Sequence, residues 1–424
     1  MSVNLAEQSK RANVCVIGLG YIGLPTAVVL ADNLGAIAGF DIDEERRRVV
    51  RAGASPFVED GLGELLEEAV TTGKLRIPDQ LVSAEQYVIA VPTPILEDKT
   101  PDLSFIFNVI EKLAPLLMGD ELVVIESTCP PGTTEQVQAR LLDLRPDLAK
   151  EIEAEALGIA YCPERVLPGN IIRELRENDR IIGGVTTRSA ERAKQLYSSF
   201  CEGKLWITDS RTAEMSKLAE NAYRDVNIAF ANQLDMLCTE YGVDVWKLRE
   251  LANRHPRVNI LEPGPGVGGH CIAVDPWFLV NGLGQATLIE TARQLNDAKP
   301  AAVTKQVLEA VNTAKQPNIL ALGLSFKENV DDVRQSPAVE VVRNISVSRP
   351  DATVIAVDPV VSRCPIELLD SPNVRFTRKL PQDLDEFEAV VVLVAHRHFK
   401  TLDTAEFGRA RIVDTRGLFR ERQE

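Results

Sequence analysis

The sequence lacks the cysteine patterns that form disulfide frameworks or metal sites. Its seven cysteines are scattered over 424 residues, without a CxxC pair or a metal-ligand spacing. Small secreted domains instead show even numbers of cysteines at close, regular spacings. We therefore expect reduced thiols, no bound metal and a cytoplasmic location.

Long apolar runs are also missing. No run reaches the ~18 residues that a membrane-spanning helix needs, and the opening stretch MSVNLAEQSKRAN has no signal-peptide core. The net charge of −15 disfavours nucleic acid and anionic membranes as partners. A chain of 424 residues with this composition predicts a globular protein of two or three domains.

A dinucleotide-binding fingerprint lies near the start of the chain. The apolar run 13–17 leads into GLGYIG and then into a helical stretch at 24–34. The glycines allow a tight turn, close approach of a pyrophosphate and close helix–strand contact. Asp41 follows the next predicted strand, 36–40, where an acid binds ribose hydroxyls and repels a 2′-phosphate. The pattern predicts NAD, bound by Gly18, Gly20, Tyr21, Ile22, Gly23, Asp41 and Arg46.

Hydroxyl and acidic residues follow three further predicted strands. Thr93 follows the strand 87–91, Thr128 follows 121–125, and Glu164 follows 158–162. Ligands of parallel sheets bind at the carboxyl ends of strands. Thr93 and Thr128 are therefore predicted to contact the cofactor or a nearby water, with helix capping as the alternative.

A long helix is predicted over 212–241, a stretch without glycine or proline. Lys217, Asn221 and Arg224 are spaced i, i+4 and i+7, so they share one face. A cation, an amide and a cation in this arrangement suit an anionic, hydroxyl-bearing ligand. An ordinary solvated face is the alternative.

The stretch 263–278, PGPGVGGHCIAVDPWF, is the candidate catalytic loop. Glycines let backbone approach a ligand and prolines stiffen the loop. We interpret Cys271 as a nucleophile with Asp275 close behind it, the alternative being an incidental buried cysteine. His255 and Arg257 precede the loop, and a second long helix, 288–313, follows it.

A second α/β region begins at the predicted strand 318–322. It resembles the first fingerprint without the second glycine, which predicts a different nucleotide, with Lys327 and Arg334 near its phosphates. The predicted fold class is α/β, with two Rossmann-like three-layer domains joined by a central long-helix region that dimerises. The predicted boundaries are 1–210, 211–315 and 316–424.

These motifs resemble those of the UDP-sugar 6-dehydrogenases over nearly the whole chain. GLGYIGLP, EST, CPER, the Lys217/Asn221 helix, GxGGHC and GLSFKxNxDDxRxSP occur in the family's order. Within the family, NRHPRVNILEPGPGVGGHCIAVDPWF is most similar to the branch that oxidises UDP-N-acetyl-D-mannosamine. Many members carry a second acid four residues after the Glu164 position, where this chain has Pro168.

The resemblance implies a four-electron oxidation of the sugar C6 alcohol with two NAD⁺ in turn. Lys217, Asp275 or a water held by Thr128 takes the hydroxyl proton in the first oxidation. Cys271 then attacks the aldehyde, and a second oxidation gives a thioester. Glu164 assists its hydrolysis, and Lys217 and Asn221 stabilise oxyanions.

The resemblance also assigns domains and contacts. It implies NAD binding by 1–210, the catalytic loop in 211–315 and UDP-sugar binding by 316–424. Arg334 reaches the cofactor or the diphosphate, and the arginine matching Arg257 can come from a partner subunit in relatives. The implied substrate contacts are Arg165, Val166, Lys217, Asn221, Arg224, His255, Arg257, Gly268, Phe326, Lys327 and Arg416.

Two alternatives remain open on the sequence. The same chemistry could act on UDP-N-acetylglucosamine or UDP-glucose, because a few contacts set sugar stereochemistry. A sugar-nucleotide epimerase would need NAD but no cysteine, and epimerases usually carry a Tyr-x-x-x-Lys pair, which this sequence lacks. A purely binding role leaves Lys217, Glu164 and Cys271 unexplained.

Overall fold

The computed structural model of the chain describes residues 11–57, 59–166, 169–269, 271–281 and 284–420. The chain divides into two compact units, Met1–Ala219 and Glu220–Glu424, and each contains its own β-sheet. Among the described residues, no helix is both long and apolar enough to span a membrane.

The first unit alternates strands and helices. Its strands are β1 (Ala12–Ile17), β2 (Ile37–Phe40), β3 (Leu75–Arg76), β4 (Ala84–Ile89), β5 (Leu122–Ile125), β6 (Gly158–Tyr161), β7 (Arg180–Gly184) and β8 (Leu205–Asp209). Its helices are α1 (Gly23–Leu34), α2 (Glu44–Arg51), α3 (Leu62–Thr71), α4 (Ser104–Leu113), α5 (Thr133–Leu144), α6 (Ala149–Glu153), α7 (Ile171–Glu177), α8 (Thr187–Tyr197) and the start of α9 (Ser210–Tyr241).

The sheet of this unit has the strand order β3-β2-β1-β4-β5-β6-β7-β8. All neighbouring pairs are parallel except β6 with β7. The first six strands follow the doubly wound order in which a ligand crevice opens at the carboxyl ends of β1 and β4. The fingerprint turn and Asp41 lie at that edge.

Side-chain alternation along the strands builds two cores. Val14 and Val16 of β1 join the core beneath α1, α3, α7 and α8, whereas Cys15 and Ile17 join the core beneath α4 and α5. Strands covered on both faces are apolar throughout, which is why they appear as unbroken runs in the sequence.

The second unit carries the candidate catalytic loop and the smaller sheet. Its helices are the rest of α9, α10 (Val245–Ala252), α11 (Asp275–Val280), α12 (Thr287–Ala310) and α13 (Pro337–Ser348). Its strands are β9 (Asn318–Leu322), β10 (Thr353–Val357), β11 (Val374–Thr377), β12 (Ala389–Val392) and β13 (Arg411–Asp414), in the all-parallel order β11-β10-β9-β12-β13.

The two faces of the smaller sheet are covered differently. Helices α12 and α13 pack on one face. The other face is covered by loops and short 3₁₀ turns that supply Phe399 and Phe407. The predicted α/β class with two Rossmann-like sheets and a central long helix is confirmed, with this thinner third layer as the difference.

Candidate active site

Three glycines shape the turn between β1 and α1. Gly18 has φ +94°, and a Cβ there would lie 2.4 Å from the carbonyl oxygen of Ala90. A Cβ on Gly23 would lie 1.8 Å from the carbonyl oxygen of Gly18. A Cβ on Gly20 meets nothing nearer than Nη1 of Arg46, at 4.0 Å. The fold itself requires Gly18 and Gly23, whereas Gly20 leaves space for a phosphate to approach the backbone.

Asp41 is held rigidly at the end of β2. Its carboxylate accepts hydrogen bonds from the Leu19 and Asp43 amides at 2.8 and 2.9 Å, and from Nη1 of Arg46 at 3.3 Å. Arg46 remains partly exposed beside it. An anchored carboxylate next to the turn suits ribose hydroxyls, so the residues of this turn fit NAD.

The other predicted cofactor residues of the first unit surround this turn or follow strands. Tyr21 stacks on Phe57 with ring centroids 4.1 Å apart, and Ile22 is the N-cap of α1. Thr93 follows β4 and Thr128 follows β5, and both are half-buried. Neighbouring β4 and β5 bring the two threonines to the same edge of the sheet.

Glu164 is buried just after β6. Its Oε1 accepts the Arg165 amide at 2.6 Å, and its Oε2 accepts Nη2 of Arg180 at 3.1 Å. Arg165 and Val166 follow it half-buried. The ion pair with a buried arginine fixes the carboxylate in one orientation, which a hydrolytic base requires.

Sequence reasoning missed the surroundings of Glu164. Arg180 and Tyr197 are buried, and the Tyr197 hydroxyl donates to Oε1 of Glu126 at 2.7 Å. Burial and the charge of Glu164 raise the pKa of Glu126 to about 7. Glu126 stands in the EST motif, but nothing in the sequence places Arg180 or Tyr197 against it.

Helix α9 carries the polar stripe, the face predicted to present Lys217, Asn221 and Arg224. Lys217, in the first unit, is 8% exposed, and Asn221, in the second, is 4% exposed, whereas Arg224 is exposed. Burying a lysine is unusual without a functional or structural partner. The stripe is therefore solvated only at Arg224, and its first two members lie within the protein.

Cys271 differs from every other cysteine in its exposure. Cys271 is exposed, four of the other cysteines are buried, and Cys201 and Cys364 are half-buried. Burial raises the pKa of Cys15 and Cys162 to about 12, which keeps these thiols protonated and inert. Of the seven thiols, the one at the end of the glycine-rich loop is therefore the most accessible to a bound substrate.

The segment after Cys271 turns directly into α11. The Cys271 carbonyl accepts the amides of Val274 and Asp275 at 3.1 and 2.8 Å. The buried Asp275 carboxylate accepts Nδ2 of Asn221 at 2.5 Å. Asn221 and Asp275, predicted separately, thus form one hydrogen-bonded pair within the second unit.

A buried polar network anchors both ends of the cysteine loop. The side chain of Asn232 accepts the Gly264 amide at 2.9 Å and donates to Asn296 at 2.9 Å. Asn296 donates to Asp225, and Arg293 pairs with Asp225 and reaches the Ile272 carbonyl at 3.4 Å. Sequence reasoning missed this network, because polar residues in long helices usually indicate a solvated face.

A cavity of about 260 Å³ lies between the cysteine loop and the smaller sheet of the second unit. Its lining includes Phe326, Lys327 and Arg416, all predicted substrate contacts. The Phe326 ring packs against the backbone of the cysteine loop, since a Cβ on Gly269 would lie 3.0 Å from it. A Cβ on Gly268 would lie 2.5 Å from the Gln335 carbonyl oxygen. An aromatic face, a cation and a guanidinium in one recess suit part of a nucleotide.

Asp358, at the end of β10, occupies the place that Asp41 has at the end of β2. Its carboxylate accepts the Leu324 and Ser325 amides at 2.7 and 3.0 Å and contacts Nε2 of the buried His396 at 3.0 Å. Burial opposes its ionisation, but the His396 and backbone hydrogen bonds outweigh it and lower the pKa of Asp358 to about 2. The amides of Val360 and Val361 donate to its other oxygen at 2.9 Å, so this buried carboxylate is engaged by its own unit on both oxygens.

Three predicted residues lie at exposed positions of the second unit. Nδ1 of His255 accepts the Arg257 amide at 3.3 Å, and both residues are exposed. Arg334 forms a bidentate ion pair with the Asp332 carboxylate. The described residues contain no cluster of three His, Cys, Asp or Glu side chains placed to hold a metal, and His270, within the loop, lies outside the described residues.

Comparison with known proteins identifies the family. Residues 12–201, 211–298 and 320–421 match the NAD binding, central and UDP binding domains of the UDP-glucose/GDP-mannose dehydrogenase family. An NDP-N-acetyl-D-galactosaminuronic acid dehydrogenase of Ralstonia solanacearum is 49% identical over 410 residues, 96% of each chain.

Two further relatives carry a different substrate name. A UDP-N-acetyl-D-mannosamine dehydrogenase of Escherichia coli strain K12 is 44% identical over 421 residues, 96% of this chain and 99% of that protein. The structure of a UDP-D-ManNAc dehydrogenase from Pyrococcus horikoshii matches with a TM-score of 0.85 and 36% identity, over 96% of each chain.

The fold and the matched domains define an NAD-dependent dehydrogenase of nucleotide sugars. The chain belongs to the UDP-glucose/GDP-mannose dehydrogenase family. The predictions of the enzyme class and of NAD as cofactor are confirmed.

Proposed function

We propose that this enzyme oxidises the C6 alcohol of UDP-N-acetyl-D-mannosamine to the carboxylate of UDP-N-acetyl-D-mannosaminuronic acid. The observation that carries the proposal is the exposed Cys271 thiol at the end of the glycine-rich loop, four residues before the buried Asp275–Asn221 pair. The names of relatives at 44–45% identity over nearly the full length support the sugar.

A second substrate has its own support. Relatives at 48–49% identity are named for N-acetyl-D-galactosaminuronic acid. A galacto-configured UDP-N-acetylhexosamine is therefore the second candidate, and UDP-N-acetylglucosamine and UDP-glucose belong in the same comparison. All four share the reacting C6 alcohol, so the chemistry does not depend on which is used.

The first oxidation needs a base and a stabiliser of negative charge. Bound NAD⁺ supplies the acceptor for the hydride that leaves C6 in each oxidation. Lys217, Asp275 or a water held by Thr128 takes the hydroxyl proton, and Asn221 keeps the Asp275 carboxylate in one orientation. Lys217 and Asn221 stabilise oxygen as it gains negative charge.

The second half of the reaction is covalent. The Cys271 thiolate adds to the aldehyde carbon to form a thiohemiacetal, which is oxidised to a thioester. Water then adds to the thioester carbonyl while Glu164 takes one of its protons. The C–S bond breaks, the thiolate of Cys271 is restored, and the acid product leaves.

We assign the proposed nucleotide-sugar contacts separately to each unit. In the second unit, the 260 Å³ cavity lined by Phe326, Lys327 and Arg416 receives part of the UDP group. Gly268, His255, Arg257 and Arg224 contact the sugar or diphosphate, as do Arg165 and Val166 of the first unit. Arg334 reaches the cofactor or the diphosphate.

We also propose three functional domains, 1–210, 211–315 and 316–424, and a homodimer. The family matches at 12–201, 211–298 and 320–421 support the division. Exposed aromatic residues on α9, Tyr223, Phe230 and Tyr241, support association through that helix. The enzyme works in the cytoplasm and feeds the synthesis of a surface polysaccharide.

The test is NADH formation with a panel of UDP-sugars, followed to completion. Two NADH per UDP-N-acetyl-D-mannosamine, with little turnover of UDP-glucose, is the expected result. Preference for the galacto-configured sugar would replace the substrate and keep the mechanism. Substrate interconversion without net NADH would instead establish an epimerase.

The variant Cys271→Ala tests the covalent step. It is expected to lose the second oxidation and to release at most one NADH per sugar, because no thiohemiacetal forms. Cys364→Ala, which removes a half-buried thiol of the same unit, is the matched control and should retain two. A Cys271→Ala enzyme that still releases two NADH would disprove the covalent mechanism.

A further inference from the structure

Glu164 is not the only acid beside Arg180. Glu126, which follows β5, is 2% exposed and lies close enough to Glu164 and Arg180 for both charges to act on it. The guanidinium of Arg180 lies 4.8 Å from the centroid of the Tyr197 ring, and the hydroxyl of that ring donates to Glu126. Because β5 and β6 are neighbours, the residues that follow them meet at one edge.

The charges of this cluster do not balance when both acids are ionised. Among the described residues, Arg180 forms an ion pair with Glu164 at 3.1 Å, and its charge also acts on Glu126. Within the described part of the chain, Tyr197 on α8 and the Cys162 thiol after β6 also face the cluster, and both are neutral near pH 7. One arginine neutralises one carboxylate, so the second is costly to ionise in a buried site.

The hydrogen bonds favour Glu126 as the acid that carries the extra proton. Glu164 accepts from the Arg165 amide and from Arg180, both suited to a carboxylate. From the residues that the structure describes, Glu126 accepts two hydroxyl donors, Tyr197 at 2.7 Å and Thr26 at 3.3 Å. Burial, and next the charge of Glu164, raise the pKa of Glu126 to about 7.

We propose that Glu126 is a positioning residue for thioester hydrolysis, acting through Glu164 by its own ionisation. The inference rests on the proposed role of Glu164 as the hydrolytic base. Glu126 follows β5 and Glu164 follows β6, so two neighbouring strands carry the two acids.

The direction of the effect follows from the charges. When Glu126 is ionised, its negative charge raises the affinity of Glu164 for a proton, and Arg180 remains neutralised after Glu164 takes one. Glu164 then removes a proton from water more readily. When Glu126 is protonated, a proton on Glu164 leaves Arg180 unpaired in a buried site. Hydrolysis should therefore accelerate as the pH rises through about 7.

The experiment isolates hydrolysis by a pH jump. The enzyme is mixed with NAD⁺ and the UDP-sugar at pH 6 to accumulate the acyl-enzyme, then moved to buffers between pH 6 and 8.5. Samples are quenched in acid, and the fraction of chains carrying the acyl group on Cys271 is followed by intact mass. For the wild-type enzyme the rate constant should rise in a step centred near pH 7.

Three variants decide between explanations. Glu126→Gln keeps the shape and the acceptor for Tyr197 but cannot ionise, so the step should vanish and hydrolysis at pH 8 should slow roughly three- to tenfold. Tyr197→Phe removes a hydrogen bond that lowers the pKa of Glu126, so the step should move to higher pH. Glu121→Gln is the matched control, because Glu121 is a buried glutamate at the other end of the same strand, paired with Arg11.

The outcomes separate this inference from the proposed function. A step that persists unchanged in Glu126→Gln, or that stays at the same pH in Tyr197→Phe, overturns the role of Glu126. If Glu126→Gln does not fold, the shift in Tyr197→Phe decides alone. Wild-type enzyme that forms no acyl group on Cys271 overturns the proposed function instead.

Discussion

At the scale of the residue, the cofactor turn shows that similar glycines have different tasks. Gly23 is needed because any side chain would collide with the backbone of Gly18. Gly20 faces open space, with Arg46 as its nearest neighbour. A pattern of three glycines in the sequence does not distinguish these tasks, and the structure does.

Alanine substitutions should separate the two tasks. Gly23→Ala is expected to lower the free energy of unfolding by about 1–3 kcal/mol or more, because backbone must move. Gly20→Ala should keep wild-type stability and lose NAD affinity, since its methyl group occupies space meant for phosphate. Urea unfolding and NAD titration of both variants check this, and equal stability of the two variants would contradict it.

Asp358 is a single residue whose charge should stabilise the fold. Its pKa of about 2 lies below the ~3.9 of an unfolded aspartate. The stabilisation is present above pH ~4 and is lost as the pH falls towards 2. Asp358→Asn should therefore lower the free energy of unfolding by about 2–3 kcal/mol near neutral pH. This stability gap between the variant and the wild type should narrow in acid.

Urea unfolding between pH 2.5 and 7 measures this gap. Asp351→Asn is the control, because Asp351 also has a pKa lowered to about 2, by hydrogen bonding to Arg349, but is exposed to solvent. Solvent screens that pair, so the control should show a much smaller gap. A gap for Asp358→Asn that is independent of pH would argue against the charge as its cause.

At the scale of the element, two long helices hold the cysteine loop near its two ends. Gly264 near its start bonds to Asn232 of α9, and Ile272 after the cysteine bonds to Arg293 of α12. Glycine and proline keep the loop open, and the helices keep it in place. Loops that carry nucleophiles need such support to hold geometry within fractions of an ångström.

Asn232→Ala should loosen this loop. The change leaves the buried Gly264 amide and an Asn296 oxygen unpaired, at about 1–3 kcal/mol for each group. We expect a lower melting temperature and a fall in kcat with NAD affinity preserved. Asn227→Ala, which removes only a bond to the Tyr223 carbonyl of the same helix, is the control and should match wild type.

The elements themselves were largely predictable from the sequence. Strand β9 has the predicted bounds, and α9 begins two residues before the predicted start. Apolar runs and fingerprints mark such elements directly. The Asp225–Arg293 pair was not predictable, because a charge on a helix shows its burial only once the neighbouring helix is known.

At the scale of the whole molecule, the order of motifs was the strongest signal in the sequence. It predicted the family that the three matched domains show. The acidic cluster around Arg180 was beyond sequence reasoning, because Glu126, Glu164, Arg180 and Tyr197 come from four separate segments. Their proximity depends on strand order, which a single sequence leaves undetermined.

Complementation tests the proposed dimer. If Arg257 serves the partner's site, mixing inactive Cys271→Ala and Arg257→Ala proteins rebuilds one complete site in each mixed dimer. Random exchange of subunits should then restore about a quarter of wild-type activity. Cys271→Ala mixed with Glu164→Gln is the comparison. This mixture should recover activity only if Glu164, like Arg257, serves the site of the partner subunit. No recovery with Arg257→Ala, despite subunit exchange shown by mass, would place Arg257 in its own subunit's site.

The uneven exposure of the seven cysteines has a consequence for oxidative damage. Peroxide reacts with accessible thiols first, and here the exposed thiol is that of Cys271, the proposed nucleophile, while four others are buried and two are half-buried. Oxidation to a sulfenic acid would stop turnover and leave the packing of both units intact. Under oxidant stress this enzyme should therefore lose activity while it remains folded. A cellular reductant should restore the activity without synthesis of new protein.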